Sequence, residues 1–237
     1  MPALEDLLVV QDHDSAADRL RHRRETLPEQ ARLSEVEQAI AALDAVAADA
    51  GGRRDDVVRR QQRHEDELAS VETKIGEVDR RLYSGTVSAP RELQALQADV
   101  GSLKRHRSDI EDRVLEAMQE REPLDAQVAK LEEQRAALES EAEQLRQAIA
   151  AETQELEAEL ATELEARAAA AATVPEDLLS QYERLRTQQG GIGAARLVNG
   201  RCSGCHLTLP ATELDRIRRE PPDSVVLCDQ CGRILVH

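Results

Sequence analysis

From Leu93 to Leu156 the chain repeats one spacing without interruption, three residues then four, through positions 93, 96, 100, 103 and on in the same rhythm to 149, 152 and 156. Fifteen of these nineteen positions hold Leu, Val, Ile or Ala, and the exceptions are Arg107, Arg121, Arg135 and Glu152. A seam this long and this narrow belongs to a coiled coil, not to a helix lying on a broad globular core. The composition agrees. Tyr83 and Tyr182 are the only aromatic residues among 237, and Ala, Leu, Glu, Arg and Gln dominate. The preceding segment keeps the same rhythm less regularly, at Leu33, Val36, Ile40 and Leu43 and again at Leu68, Val71, Ile75, Val78 and Leu82.

Between the two segments, Tyr83-Ser84-Gly85-Thr86-Val87-Ser88-Ala89-Pro90 is uncharged and carries both breakers, glycine and proline. Read as the tip of an antiparallel hairpin, it makes residue i face residue about 174 − i, in arms of about 80 residues that reach roughly 120 Å. Gly51-Gly52 then falls opposite Pro123, a place for a shared kink, and Arg19, Arg21, Arg23 and Arg24 fall opposite Glu152, Glu155 and Glu157. A turn at Gly51-Gly52, giving a three-segment bundle, is the alternative. The seam arginines 107, 121 and 135 are expected to fix register by pairing with acids across the hairpin. Tyr83 and Val87 are apolar groups at a polar end, read either as a docking point for a protein or as local packing that closes the turn.

All four cysteines lie in the last thirty-six residues, as Cys202-x2-Cys205 and Cys228-x2-Cys231 with 22 residues between the pairs. Two such knuckles aim four sulfurs at one point, the layout of a closed tetrahedral structural zinc site holding one Zn2+. Four thiolates leave no open position for a metal-bound water, so catalytic zinc does not fit. A rubredoxin-like iron site has the same spacing, but no Trp or Phe is available to shield a redox centre. Disulfides need an oxidising compartment. Met1 to Gln11 carries Glu5 and Asp6 and lacks the form of a secretory leader, and no run of eighteen apolar residues occurs, so a cytoplasmic, non-membrane protein is expected. Gly204 and Gly232 suit the bends around the sulfurs, and His206 and His237 are expected to stand exposed beside the site.

The expected domains are the coiled-coil hairpin, 1–172 with its tip near 83–90, and a short helix with a small β zinc ribbon, 173–237. Thr173 and Glu176 read as a capping box opening the short helix, whose apolar face is Leu178, Leu179, Tyr182 and Leu185 and whose stop is Gly190-Gly191. Short strands are expected at Ala194–Val198, Val225–Leu227 and Arg233–Val236, with a helix at Ala211–Arg219 before Pro221-Pro222. A ribbon of about 40 residues cannot bury enough apolar area to fold unaided. Metal binding, worth about 10–16 kcal/mol in comparable sites, supplies the difference.

Several segments resemble one bacterial family, the zinc-ribbon/coiled-coil hairpin proteins. They are Arg81-Leu82-Tyr83-Ser84-Gly85-Thr86-Val87 with Pro90-Arg91-Glu92-Leu93, the ending Cys228-Asp229-Gln230-Cys231-Gly232-Arg233-Ile234-Leu235, and Gln11-Asp12-His13-Asp14 through Leu27-Pro28. The resemblance implies an elongated mainly α hairpin carrying a C-terminal ribbon, with Cys202, Cys205, Cys228 and Cys231 as zinc ligands. It also implies links to nucleic-acid binding and to transcription or secretion machinery, including alternative sigma factors.

Residues 1–174 hold 23 Lys/Arg against 39 Asp/Glu, whereas residues 175–237 hold 8 of each, so the acidity lies in the helical part. That balance favours a protein adaptor over a general nucleic-acid binder. The alternative is RNA or DNA binding through the ribbon, with Arg196, Arg201, Arg216, Arg218, Arg219 and Arg233 as the contact residues. Catalysis is not expected: the histidines are scattered, the carboxylates sit on exposed helix faces, and Gly190-Gly191-Ile192-Gly193 follows a helix and not a strand. No small-molecule substrate is implied.

Overall fold

The computed structural model describes residues 3–221 and 224–237. Its elements are α1 (Ala3–Glu25), α2 (Pro28–Tyr83), α3 (Pro90–Ala171), α4 (Glu176–Gln188), β1 (Ala194–Val198), β2 (Arg201–Cys202), α5 (Ala211–Ile217), β3 (Val226–Leu227) and β4 (Ile234–Val236). The expected class holds: a long antiparallel coiled-coil hairpin, α2 with α3, and a small C-terminal sheet. Two compact units form, Leu33–Gln144 and Met1–Arg32 with Leu145–His237. The division differs from one at 172/173 because α1 and the end of α3 share a core with α4 and the sheet.

Within Leu33–Gln144 the α2 seam is unbroken. Ala47, Ala50, Arg54, Val57, Gln61 and His64 fill the irregular stretch at the same spacing, each buried or half-buried. The sequence pattern faded there because polar residues occupy seam positions, not because the helix stops. Gly51 and Gly52 lie inside α2, so the alternative turn does not form. On α3, every seam position except Arg135 is buried or half-buried. Val71, Ile75 and Ile110 make a buried apolar cluster, with Leu68, Leu103 and Val114 around it.

Near the tip the pairing follows the expected register, as in the Arg81–Glu92 ion pair. Farther along it is displaced by about six residues, more than one and a half helical turns. Arg60 pairs with Glu120, Arg53 donates to Gln127, and Pro123 lies beside Asp56 and Val57, not opposite Gly51-Gly52. The turn dictates register only locally; beyond it, packing of buried Val57 beside Pro123 and Leu124 decides. Only one seam arginine meets an acid across the hairpin, Arg135 with Asp44 at 2.7 Å. Arg121 donates to the seam amide Gln61 and pairs with Asp125 on its own helix, and Arg107 turns to Glu111 one turn on. At the tip Tyr83 is 81% exposed, so it does not pack to close the turn. The bend is held instead by the Ser84 hydroxyl, which bonds the Thr86 hydroxyl and the Arg81 carbonyl, while Val87 is half-buried.

In the other unit, Thr26-Leu27-Pro28 separates α1 from α2, a break that the sequence reading carried through as one helix. The Thr26 amide and hydroxyl both close on the His22 carbonyl, and Pro28 opens α2, where its missing N–H costs nothing. Arg23 and Arg24 pair with Glu152 and Glu157 as expected. The capping box at Thr173 does not form. The Thr173 hydroxyl donates back to the Ala170 carbonyl, and Pro175 is the cap of α4 without a side-chain bond. Gly190 and Gly191 end α4 at φ +68° and +97°. α5 stops at Ile217, two residues early, and Pro222 lies outside the described residues.

The sheet order is β2-β1-β4-β3, with β1 and β4 parallel and the outer pairs antiparallel. Side-chain alternation splits its faces. Ala194, Ile234 and Val236 face α1 and α4, packing on Leu4, Leu7, Val10, Leu178 and Tyr182. Ala195, Leu235 and Val226 face α5, packing on Ile217, Leu209, Cys202 and Cys228. β2 was not expected, although its signal was present: Asn199-Gly200, both at positive φ, is the two-residue hairpin turn joining it to β1.

Candidate metal centre

The two knuckles have matching backbones. In the first, the His206 amide donates to the Cys202 carbonyl at 2.8 Å and the Cys202 amide to the Leu207 carbonyl at 3.1 Å. In the second, the Gly232 amide donates to the Cys228 carbonyl at 2.7 Å and the Cys228 amide to the Arg233 carbonyl at 2.8 Å. Each knuckle therefore needs a left-handed residue after its second cysteine. Gly232 supplies it at φ +74°, and His206 supplies it at +61°, exposed as expected. Gly204 serves a different purpose from the one expected. A Cβ there would lie 2.6 Å from Arg233 Cδ and 3.0 Å from Ala195 Cβ, so close approach and not a bend requires glycine.

The four Sγ atoms lie within 4.8 Å of one another, with Cys202 and Cys231 4.0 Å apart, and no disulfide joins them. Ligand sulfurs around a tetrahedral zinc, with Zn–S near 2.3 Å, stand about 3.8 Å apart, so the donor set fits one divalent ion. Electrostatics agree with that fit. Burial pushes the Cys202 thiol up and Cys228 up to about 12, with the neighbouring cysteines adding to both. Cys231 is lowered to about 7; burial opposes this, but the Arg233 amide and side chain and the Cys228 and Cys205 thiols outweigh it. Crowded sulfurs of this kind ionise together only when a cation shares their charge.

The six arginines read as a contact surface have distinct settings. Arg196 makes a two-point ion pair with Glu5 of α1, at 3.0 and 2.6 Å, which holds the Glu5 carboxyl below its usual range. Arg216 is paired with Glu213, and Arg218 lies 3.6 Å from Asp215. Arg233 is half-buried and donates to the Ile192 and Gln189 carbonyls, tying the second knuckle to the linker before β1. Arg201 donates to the His206 carbonyl with its side chain exposed, and Arg219 is exposed at the end of α5.

Sequence reasoning missed the polar anchor behind the sheet. Gln11 Oε1 accepts from the Gly193 amide at 2.7 Å and the Ala194 amide at 3.3 Å, fixing the start of β1 to α1. One turn on, buried Asp14 accepts from the Tyr182 hydroxyl at 2.7 Å and Arg167 Nε at 3.3 Å, with Arg186 Nε 3.5 Å away. Burial and the Asp14 carboxylate push the Tyr182 phenol above its usual range.

Residues 10–190 match the CT398-like coiled coil hairpin domain, and residues 201–235 match the C4-type zinc ribbon domain. The chain belongs to the CT398-like coiled coil hairpin family. This family member is 30% identical over 238 residues to the uncharacterized protein Rv2229c of Mycobacterium tuberculosis, covering 98% of this chain and 94% of that one. A solved structure from Mycobacterium smegmatis shares 27% identity at a TM-score of 0.86, covering 99% of this chain and 97% of that one. CT398 of Chlamydia trachomatis, 20% identical, superposes at a TM-score of 0.66 over 98% of this chain and 96% of that one, which shows a common fold. Among the described residues of this CT398-like chain, no helix is long and apolar enough to cross a membrane.

Proposed function

We propose that the chain is a non-enzymatic, cytoplasmic adaptor whose ribbon, held by one structural zinc ion, docks a protein partner of the transcription or secretion machinery. The observation that supports a protein partner is the balance of exposed groups on the ribbon. Val198, Leu207, Val225 and Leu227 are each between 40% and 52% exposed, while Arg196, Arg216 and Arg218 already face carboxylates. Apolar groups kept in water favour a protein surface, and cations already paired favour phosphate less. The tip, with exposed Tyr83 and half-buried Val87, is a second docking point in this reading. Neither a membrane nor a small-molecule substrate has a part in it.

The test is affinity capture from the native cell with zinc-loaded protein, nuclease-treated, comparing the wild type with Val198→Glu/Leu207→Glu. A protein captured by the wild type and lost with the variant, at unchanged zinc content, is expected. The exposed Arg201, Arg218 and Arg219 motivate the second reading, nucleic-acid binding. Capture abolished by nuclease, and binding that falls steeply with salt and with Arg218→Glu/Arg219→Glu, would replace the adaptor with that reading.

A further inference from the structure

Among the described residues of the ribbon, Arg233 is the only half-buried arginine, and no carboxylate pairs with it. Arg196, Arg216 and Arg218 meet Glu5, Glu213 and Asp215 in ion pairs. The Arg233 guanidinium donates instead to neutral main-chain oxygens, those of Ile192 at 2.9 Å and Gln189 at 3.0 Å. Two carbonyls leave its charge intact. A cation taken partly out of water with its charge unmatched calls for an anion close by.

The course of the side chain points to that anion. Arg233 stands two residues after Cys231, and its carbonyl accepts the Cys228 amide that closes the second knuckle. From there the stem crosses the first knuckle at Gly204, beside Cys205. A Cβ on Gly204 would lie 2.6 Å from Arg233 Cδ and 3.2 Å from its Nε. One residue therefore touches both knuckles. Burial disfavours charge on the Cys231 sulfur, and the Arg233 amide and side chain are the leading groups that oppose it. Four thiolates around one divalent ion carry a formal charge of about −2, and the unmatched charge of Arg233 is of the opposite sign.

We propose that Arg233 is the counter-ion of the metal centre, a positioning residue that keeps the Cys231 thiolate on the ion and lowers its reactivity toward electrophiles. A fixed positive charge beside a ligand sulfur makes it a poorer nucleophile and eases the repulsion among four thiolates. This role is separate from the tie to the linker, which needs the carbonyl bonds but no charge at the sulfurs. The inference rests on the structural zinc of the adaptor reading and is independent of any partner.

The test compares the full, zinc-loaded chain with Arg233→Gln, which removes the charge, and Arg233→Lys, which keeps it without the planar fork. Competition with a chromogenic chelator reads the hold on zinc. Brief alkylation with N-ethylmaleimide, followed by peptide mass spectrometry, reads the reactivity of Cys231. Arg233→Gln is expected to weaken the hold by about 10–100-fold and to hasten alkylation of Cys231 by about tenfold. Arg233→Lys should recover most of both. In cobalt-substituted protein the sulfur-to-metal charge-transfer band should move to lower energy in Arg233→Gln, where the sulfur is richer in electrons, and stay near its wild-type position in Arg233→Lys. Losses of equal size in the two variants, or an unmoved cobalt band in Arg233→Gln, would reduce Arg233 to its tie on the Ile192 and Gln189 carbonyls and overturn the proposal. An Arg233→Gln chain that binds no metal leaves the decision to Arg233→Lys, where a wild-type hold supports the proposal and its loss overturns it. Wild-type protein without metal would sink the structural zinc itself. Variants that hold and shield zinc as the wild type does would sink this inference alone.

Discussion

Asp14 has 7% of its side chain exposed and faces a phenol and two guanidinium groups drawn from α3 and α4. Such a carboxylate adds little net stability as a pair, because its desolvation offsets most of the attraction. Removing it is another matter, since the buried Tyr182 hydroxyl loses its acceptor and the half-buried Arg167 and Arg186 are left with Glu183 and Asp18 alone. Asp14→Ala is expected to destabilise the unit by about 2–3 kcal/mol, chiefly by leaving the Tyr182 hydroxyl unsatisfied, and Tyr182→Phe, which removes one hydrogen bond, by about 1 kcal/mol. Urea titration followed through the near-ultraviolet signal of Tyr182 in the alanine variant, and far-ultraviolet circular dichroism in both, checks the order. None of this geometry is periodic. Asp14 and Tyr182 are 168 residues apart, so the sequence disclosed that Gln11–Asp14 resembles a family segment without disclosing what the residues touch. The four cysteines were legible for the opposite reason, because metal ligation imposes a local spacing that can be read directly.

At the level of elements, apolar rhythm revealed α3 almost position by position, and β1 emerged with the expected bounds. Elsewhere the rhythm misled in both directions. It faded over Arg54, Gln61 and His64 although α2 continues, and it gave no warning at Thr26-Leu27, where Pro28 was the signal. The seam arginines show why polar seam positions are hard to read. A long side chain reaches acids on its own helix as easily as across the pair, and Arg107 and Arg121 do so. The two kinds of seam position should differ in thermal and chemical denaturation. Ile110→Ala, at a site with no exposure, is expected to cost about 2–5 kcal/mol, whereas Arg135→Ala, in an exposed ion pair, should cost about 0–1 kcal/mol. Equal losses would mean that the ion pair, and not the apolar cluster around Ile110, anchors this stretch.

For the molecule as a whole, the metal centre and α1 are joined through the paired strands β1 and β4, and β4 follows directly from the second knuckle. β4 begins three residues after Cys231, and its side chains alternate between the core beside the cysteines, through Leu235, and the core beside α1, through Ile234 and Val236. Arg233 adds a second link by holding the knuckle to the carbonyls of Gln189 and Ile192. A ribbon this small keeps its strands only while the ligands are gathered. Loss of the ion should therefore free β4 and uncover Leu4, Leu7 and Val10 of α1. The cluster of Val71, Ile75 and Ile110 buries its apolar groups without any metal and should not respond. Hydrogen exchange read by mass spectrometry, under reducing conditions with and without a chelator, separates the two. Amides of α1 and β4 should lose protection together at matching chelator concentrations, while amides around Val71 and Ile110 keep theirs. Protection of α1 that survives complete metal removal would show that Leu4, Leu7 and Val10 hold the sheet unaided, and the four cysteines would then stabilise only the face toward α5.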